Sequence, residues 1–274
     1  MPQKKLYNKK SIYSDYAKRD YLFKPEKSIL EEMNYFLKDA RMLDMGVGAG
    51  RTTRYFAPAV RSYIGADYAH EMISECRKKF GDKYVFVECD ARQMSNFSDD
   101  SFDFVLFSYN GIDSFGLVDR TALLGEVKRV LSDGGYFCFS SHNLDWKKLK
   151  DLFNLKYIFK KNYSHKSGIK APGSKISAAF KSIFIYLRLR LLNRSFSILK
   201  MLKKANTIGF TCIYDNSLEG RAKISYISYD RQLKQLRNAG FEIIASYEHE
   251  GKKAKSDADI SGSPWIYYLC KVCK

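Results

Sequence analysis

The chain has 274 residues, the length of one α/β domain enlarged by an insertion or an appended subdomain. Its 45% hydrophobic and 28% charged residues exclude a globally disordered or fibrous protein, and a chain this long buries a full core without disulfide staples. Lys and Arg outnumber Asp and Glu by 47 to 30, a formal charge of +17 that points to an anionic partner and says nothing about fold.

In chain order, apolar positions at Ile29, Leu30, Met33 and Phe36–Leu37 predict a helix over Pro25–Leu37, after an N-terminal cap of residues 1–24. Arg41–Met45 is a short strand, followed by glycines and a helix to about Ala57. Ser62–Ala66 is the second strand and Glu71–Phe80 the next helix. Tyr84–Glu88 alternates as a strand, and Phe102–Phe107 is the near-continuous apolar run of a strand buried on both faces. Thr121–Leu131 is helical and stops at Asp133-Gly134-Gly135, a turn into the strand Tyr136–Ser140. Asp230–Ala239 is a helix ended by Gly240, and Phe241–Tyr247 and Trp265–Val272 are two strands separated by a polar loop. Alternating strands and helices predict a doubly wound, mostly parallel sheet.

The charge is concentrated. Residues 147–220 carry sixteen Lys and Arg against three Asp and Glu, +13 of the total +17. That shift marks a basic, mostly helical insertion between two parts of a catalytic domain, 1–146 and 221–274. No segment approaches the ~18 uninterrupted apolar residues of a membrane span. The start, Met1-Pro2-Gln3-Lys4-Lys5, lacks the apolar region of a signal peptide. Six scattered cysteines read as reduced thiols, and Cys270-Lys271-Val272-Cys273 lacks a companion Cys or His pair, so a cytoplasmic setting is expected. No His, Asp and Glu cluster has the spacing of metal ligands, and no metal is predicted.

Leu43-Asp44-Met45-Gly46-Val47-Gly48-Ala49-Gly50 is the most informative segment. A strand, a glycine turn and a helix in that order bring backbone close to a ligand at the carboxyl end of a strand. The alternative is a turn whose glycines merely pack closely. The dinucleotide fingerprint needs a third glycine where this chain has Arg51. Asp44, two residues before the first glycine, is a poor neighbour for a pyrophosphate and a good one for a cationic amino group. Asp67 ends the second strand, where a carboxylate takes ribose hydroxyls. Asp90 follows the third strand, within reach of an adenine amino group.

With these residues in register, the chain resembles the class I S-adenosylmethionine-dependent methyltransferases over about residues 25–146 and 225–274. The resemblance implies a seven-stranded Rossmann-like sheet whose last two strands form an antiparallel hairpin, with the basic insertion after the fifth strand. It also implies S-adenosylmethionine as cofactor and S-adenosylhomocysteine as product. Asp44, Gly46, Gly48 and Gly50 would surround the methionine part, and Asp67 would hold the ribose. Tyr68 and Met72 would flank the adenine, Asp90 and Ala91 read its edge, and Phe107, Ser108 and Tyr109 line the sulfonium end. One departure matters. The Asn/Asp-Pro-Pro-aromatic signature of methylation on base amino groups is replaced by Ser108-Tyr109-Asn110-Gly111-Ile112-Asp113, which counts against that acceptor.

Methyl transfer needs positioning, desolvation and, for a hydroxyl acceptor, a base. His142, in Ser140-Ser141-His142-Asn143 after the fifth strand, is the candidate base, with Asn110 and Asp113 as candidate substrate contacts. The alternative is that His142 only bonds backbone or orients Asn143. His70 falls at a helix start, and His165 and His249 fall in polar loops. The Ser-Tyr-Asn-Gly-Ile-Asp and Ser-Ser-His-Asn segments, with Pro264-Trp265-Ile266-Tyr267-Tyr268, look like a bacterial subgroup acting in small-molecule and surface-polysaccharide pathways. That resemblance implies a hydroxyl on a small molecule or saccharide precursor, anionic in view of the charge.

Ile176–Leu202 spaces apolar and basic residues as an amphipathic helix broken near Asn193. Three readings stay open: a substrate-selecting lid with a solvated outer face, docking on an anionic membrane surface or lipid-linked saccharide, or contact with phosphates of RNA or a nucleotide-linked substrate. An RNA methyltransferase and a non-catalytic cofactor-binding regulator are the competing functions.

Overall fold

The computed structural model describes residues 7–164, 174–193, 198–216 and 218–274. His165 and Arg194 lie outside the described residues. Seven strands form the central sheet: β1 Arg41–Met45, β2 Ser62–Asp67, β3 Val85–Glu88, β4 Phe102–Phe107, β5 Leu131–His142, β8 Phe241–Tyr247 and β9 Trp265–Val272. Their spatial order is β3-β2-β1-β4-β5-β9-β8. The first five pair in parallel, and β9 runs antiparallel between β5 and β8, as expected of the terminal hairpin.

Strand alternation divides the core. Leu43, Val105 and Phe137 point to one face with Leu123, Leu124, Val127 and Leu236. Met42, Phe104, Leu106 and Cys138 point to the other with Ile29, Leu37, Phe56, Ile73 and Cys76. The inner strands are therefore apolar at successive positions, and each fully buried Leu, Ile or Phe contributes ~1.5–3 kcal/mol. Helices α1 Lys10–Ala17, α2 Lys24–Glu32, α3 Asn34–Leu37, α4 Thr53–Phe56, α5 His70–Phe80 and α6 Leu117–Val130 precede β5.

Several boundaries differ from the sequence expectation. The helix expected over Pro25–Leu37 is two helices meeting at Met33. Helix α6 begins four residues before Thr121, because Arg120 is a fully buried side chain paired with Asp113 and only looks solvated in the sequence. Strand β5 includes the expected Asp133-Gly134-Gly135 turn. Its pairing with β4 jumps from Phe102↔Leu131 to Phe104↔Tyr136, so the turn loops out within the strand. The polar loop before β9 contains the short helix α11 Asp257–Gly262, capped by Ser256.

After β5 come α7 Leu155–Ser164, α8 Ser174–Leu192 and α9 Ile198–Ile208, then the antiparallel hairpin of β6 Phe210–Tyr214 and β7 Lys223–Ile227. A mostly helical insertion was expected, and the hairpin spans its expected end at 220/221. Ile213, Ile224 and Tyr226 of the hairpin share a separate small core with Leu149, Phe153, Ile158, Ile185 and Leu189. The Leu144 amide donates to the Ile227 carbonyl at 3.0 Å, tying this unit to the carboxyl end of β5. Helix α10 Tyr229–Asn238 then leads back into the main sheet.

Candidate functional site

Two adjoining clefts open at the carboxyl ends of the parallel strands. The first encloses ≈ 590 Å³ of space, part of it open to solvent. Its walls include Gly46, Gly48, Asp67, Tyr68, Met72, Ala91, Phe107, Ser108 and Tyr109, nine of the twelve residues expected from sequence. Gly46 and Gly48 have φ of +66° and +57°, so the turn after β1 requires conformations that side-chain-bearing residues resist. A Cβ on Gly46 would also stand 2.4 Å from the Phe107 ring. Asp67 is buried at the end of β2, accepting from the Gly48 amide at 3.0 Å and the Ala69 amide at 2.9 Å. These bonds fix the carboxylate against the glycine turn.

Three expected residues do not line this cleft. Asp44 lies beneath the turn, where Oδ2 accepts from the Thr52 hydroxyl at 2.6 Å and the Tyr63 phenol at 2.7 Å. Burial raises its pKa from 3.8 to about 6, against the opposing pull of those two bonds. Gly50 is a packing glycine, since a Cβ would stand 2.5 Å from Phe80. The Asp90 carboxylate is held in the fork of Arg92, at 2.8 and 3.1 Å, and its neighbours Cys89 and Ala91 face the cleft instead.

The N-terminal segment closes the cleft with aromatic rings. Tyr7 meets Tyr16 and Tyr68 edge-on at 5.9 and 6.2 Å, while Phe23 stacks on Tyr109 at 5.1 Å. Tyr109 and Asn110 are both left-handed, with φ of 53° and 58°. For Tyr this conformation is strained, costing ~1–3 kcal/mol, and such strain clusters where side chains must be aimed. Beneath them, Arg51 forks onto Glu26 at 2.5 and 2.6 Å, and the Tyr267 phenol donates to the same carboxylate at 2.9 Å. The Ser108 hydroxyl also donates to Glu26. Arg51, noted in the sequence only as the residue replacing a glycine, thus supports the floor of the site.

The second cleft, of ≈ 870 Å³, shares Tyr7, Tyr16, Tyr109 and Ser114 with the first. Asn110, Asp113, His142, Lys223 and Trp265 also line it, so all three residues expected to do chemistry converge here. Asp113 Oδ2 accepts from His142 twice, from the backbone amide at 2.6 Å and from Nδ1 at 2.7 Å. Oδ1 accepts from the Ser141 hydroxyl at 2.6 Å and from Arg120 at 2.8 Å. With Nδ1–H so committed, neutral His142 presents Nε2 as an acceptor. Asn110 Nδ2 lies 3.3 Å from that nitrogen, a long contact. Arg120 is the member that sequence reading missed. Its guanidinium is fully buried and also donates to Ser141, Ser225 and Gln232.

The other histidines sit elsewhere. His70 opens α5 and pairs with Glu88 at 2.5 Å. His249, in the polar loop after β8, is two-thirds covered, with Nδ1 3.0 Å from the Ser263 hydroxyl. Among the described residues, no group of three or more His, Cys, Asp or Glu could hold a metal ion.

Residues 43–139, β1 through most of β5, match the model of the methyltransferase domain. That segment, about a third of the chain, carries the match to a methyltransferase domain. Over 138 residues the chain is 30% identical to the uncharacterized methyltransferase YcgJ of Bacillus subtilis, covering 46% of this chain and 53% of that one. Over 97 residues it is 33% identical to the demethylmenaquinone methyltransferase of Clavibacter sepedonicus, covering 35% and 38% of the two chains. It therefore aligns with about half or less of these curated relatives. The fold is also that of a solved S-adenosylmethionine-dependent methyltransferase from Clostridium acetobutylicum (TM-score 0.57, 16% identity, 93% of this chain and 94% of that one). A second solved neighbour is the Burkholderia thailandensis 1,6-didemethyltoxoflavin-N1-methyltransferase, with bound 1,6-didemethyltoxoflavin and S-adenosylhomocysteine (TM-score 0.54, 13% identity, 91% and 77% covered).

Proposed function

We propose that this protein moves the methyl group of S-adenosylmethionine to a hydroxyl of a small molecule or saccharide precursor, with His142 as general base. The single observation that carries the proposal is the Asp113–His142 pair in a cleft that adjoins the glycine-turn cleft. The first cleft's residues fit the cofactor. Asp67 is suited to ribose hydroxyls, Gly46 and Gly48 leave the turn without side chains, and the buried Tyr68 phenol has no hydrogen-bond partner of its own. S-adenosylmethionine, when bound, supplies an electrophilic methyl group on a positively charged sulfur.

The chain's own work is then positional. Asp113 holds the imidazole through Nδ1–H, so Nε2 takes the proton of an acceptor hydroxyl that replaces the long Asn110 contact. The Asn110 carbonyl oxygen, buried without a partner, would accept from a second polar group of the substrate. Tyr7, Tyr16 and Tyr109 exclude water where the clefts meet. Lys223, which also lines the second cleft, favours an acceptor that bears negative charge.

The test is transfer of radiolabelled methyl groups into bacterial extract fractionated into RNA, protein, glycolipid and small metabolites. Label in glycolipid or hydroxylated metabolites, lost in His142→Gln, is expected. Label confined to RNA would overturn the acceptor class. Cofactor binding without label in any fraction would favour a non-catalytic regulator.

A further inference from the structure

Helix α8 has two apolar faces. On one side Ala178, Ile185 and Leu189 are buried, and the last two belong to the insertion's small core. On the opposite side stand Ile176, Phe180, Ile183, Phe184, Leu187 and Leu191. At 3.6 residues per turn these six fall within about 100° of arc, a continuous stripe nearly the length of the helix. They are exposed, Phe180 by 71%, Phe184 by 64% and Leu191 by 77%. Single exposed apolar residues are ordinary on protein surfaces, but a contiguous stripe marks an interaction face.

Charge selects the occupant. The helix has Lys175, Lys181, Arg188 and Arg190 and no acidic residue. On the helical wheel Arg188 and Lys181, the latter paired with Glu219, fall along one margin of the stripe, and Lys175 and Arg190 on the side of the other. An apolar stripe bordered by cations suits a surface with an acyl interior and anionic headgroups. RNA is the poorer match: Phe180 and Phe184 offer rings for bases, but the other four stripe residues are Ile or Leu and sit where phosphates would need cations. No described helix is long and apolar enough to cross a membrane, so α8 would lie in the interface and not span it.

We propose that α8 docks this protein on the surface of an anionic lipid bilayer. Ile224 of β7 packs in the same small core as Ile185 and Leu189 and also lines the second cleft. Docking through α8 therefore holds the acceptor cleft in a unit fixed to the bilayer.

The test is co-sedimentation of the full chain with large vesicles, either phosphatidylcholine alone or phosphatidylcholine and phosphatidylglycerol in equal parts. At least tenfold stronger partitioning onto the anionic vesicles is expected. The variant Phe180→Ser/Phe184→Ser/Leu187→Ser/Leu191→Ser changes only exposed side chains, so its melting temperature should match wild type while its partitioning falls at least tenfold. Absence of vesicle binding by the wild type would overturn the proposal, as would undiminished binding by the folded variant. A wild-type dimer converted to monomer by these substitutions would also overturn it and make the stripe a contact between copies. RNA binding lost in the same variant would do likewise.

Discussion

Asp113 receives five hydrogen bonds: from a fully buried Arg120, from Ser141, twice from His142 and, at 3.4 Å, from Ser225. Asp113→Asn preserves shape and replaces one carboxylate oxygen by an NH₂ group. Whichever side that group takes, it faces donors: Arg120 and Ser141 on one, the His142 amide and Nδ1–H on the other. The Arg120 charge is then buried without its counterion, at a cost of ~3–5 kcal/mol. At ~2–4 °C per kcal/mol for a protein of this size, the melting temperature should fall by about 10 °C. Arg120→Met should be similarly costly because it strands the carboxylate. The double variant buries no lone charge and should be at least ~1 kcal/mol more stable than additivity of the single changes predicts. Urea unfolding followed by fluorescence measures all four proteins. Single-variant losses below ~1 kcal/mol, or strict additivity, would show that the pair does not hold His142 as described.

His142→Gln should lower the methyl-transfer rate to a hydroxyl acceptor by about 10²–10⁴-fold while leaving cofactor affinity within twofold. A rate within threefold of wild type, in a single-turnover assay, would remove His142 from the chemistry. Asp44 gives a pH signature. Burial raises its folded pKa from 3.8 to about 6, so the folded protein keeps a proton that the unfolded chain has already released. The associated stability is complete below about pH 4 and is lost as pH rises through 6. Roughly a hundredfold in proton affinity is ~3 kcal/mol. Asn at this position still accepts from Thr52 and Tyr63 through its carbonyl oxygen. The stability of Asp44→Asn relative to wild type should thus rise by ~3 kcal/mol between pH 4 and pH 7, as measured by urea titration at each pH. A difference that does not vary with pH would refute the buried-carboxyl assignment.

The parallel sheet was legible because its inner strands are apolar on both faces, as in Phe102–Phe107, and because glycines interrupt the pattern where turns fall. Positions after strand ends were legible for the same reason: Asp67 and His142 follow from topology once the strands are known. Asp44, Gly50 and Asp90 were less readable, since spacing gives proximity to a cleft and not the direction a side chain takes. Thr52 and Tyr63 turn Asp44 inward, and Arg92, two residues on, claims Asp90. Arg51, Arg120 and Glu26 are charged residues with buried side chains, and their pairings span 25 residues for Arg51–Glu26 and 7 for Arg120–Asp113. Nothing in local periodicity separates such residues from a solvated face. The β6–β7 hairpin was hidden for another reason: its strands are five residues each and border a basic helical run.

We propose that the cleft after β1 and β2 holds the cofactor, with Asp67 as its ribose partner. Calorimetric titration of S-adenosylhomocysteine into the wild type and Asp67→Ala tests it most directly. Saturable binding at one site is expected for the wild type. Loss of charge-assisted hydrogen bonds worth ~1.5–3 kcal/mol should weaken binding by about 10- to 100-fold in the folded variant. Equal affinity in the two proteins, or no saturable heat from the folded wild type, would contradict the account.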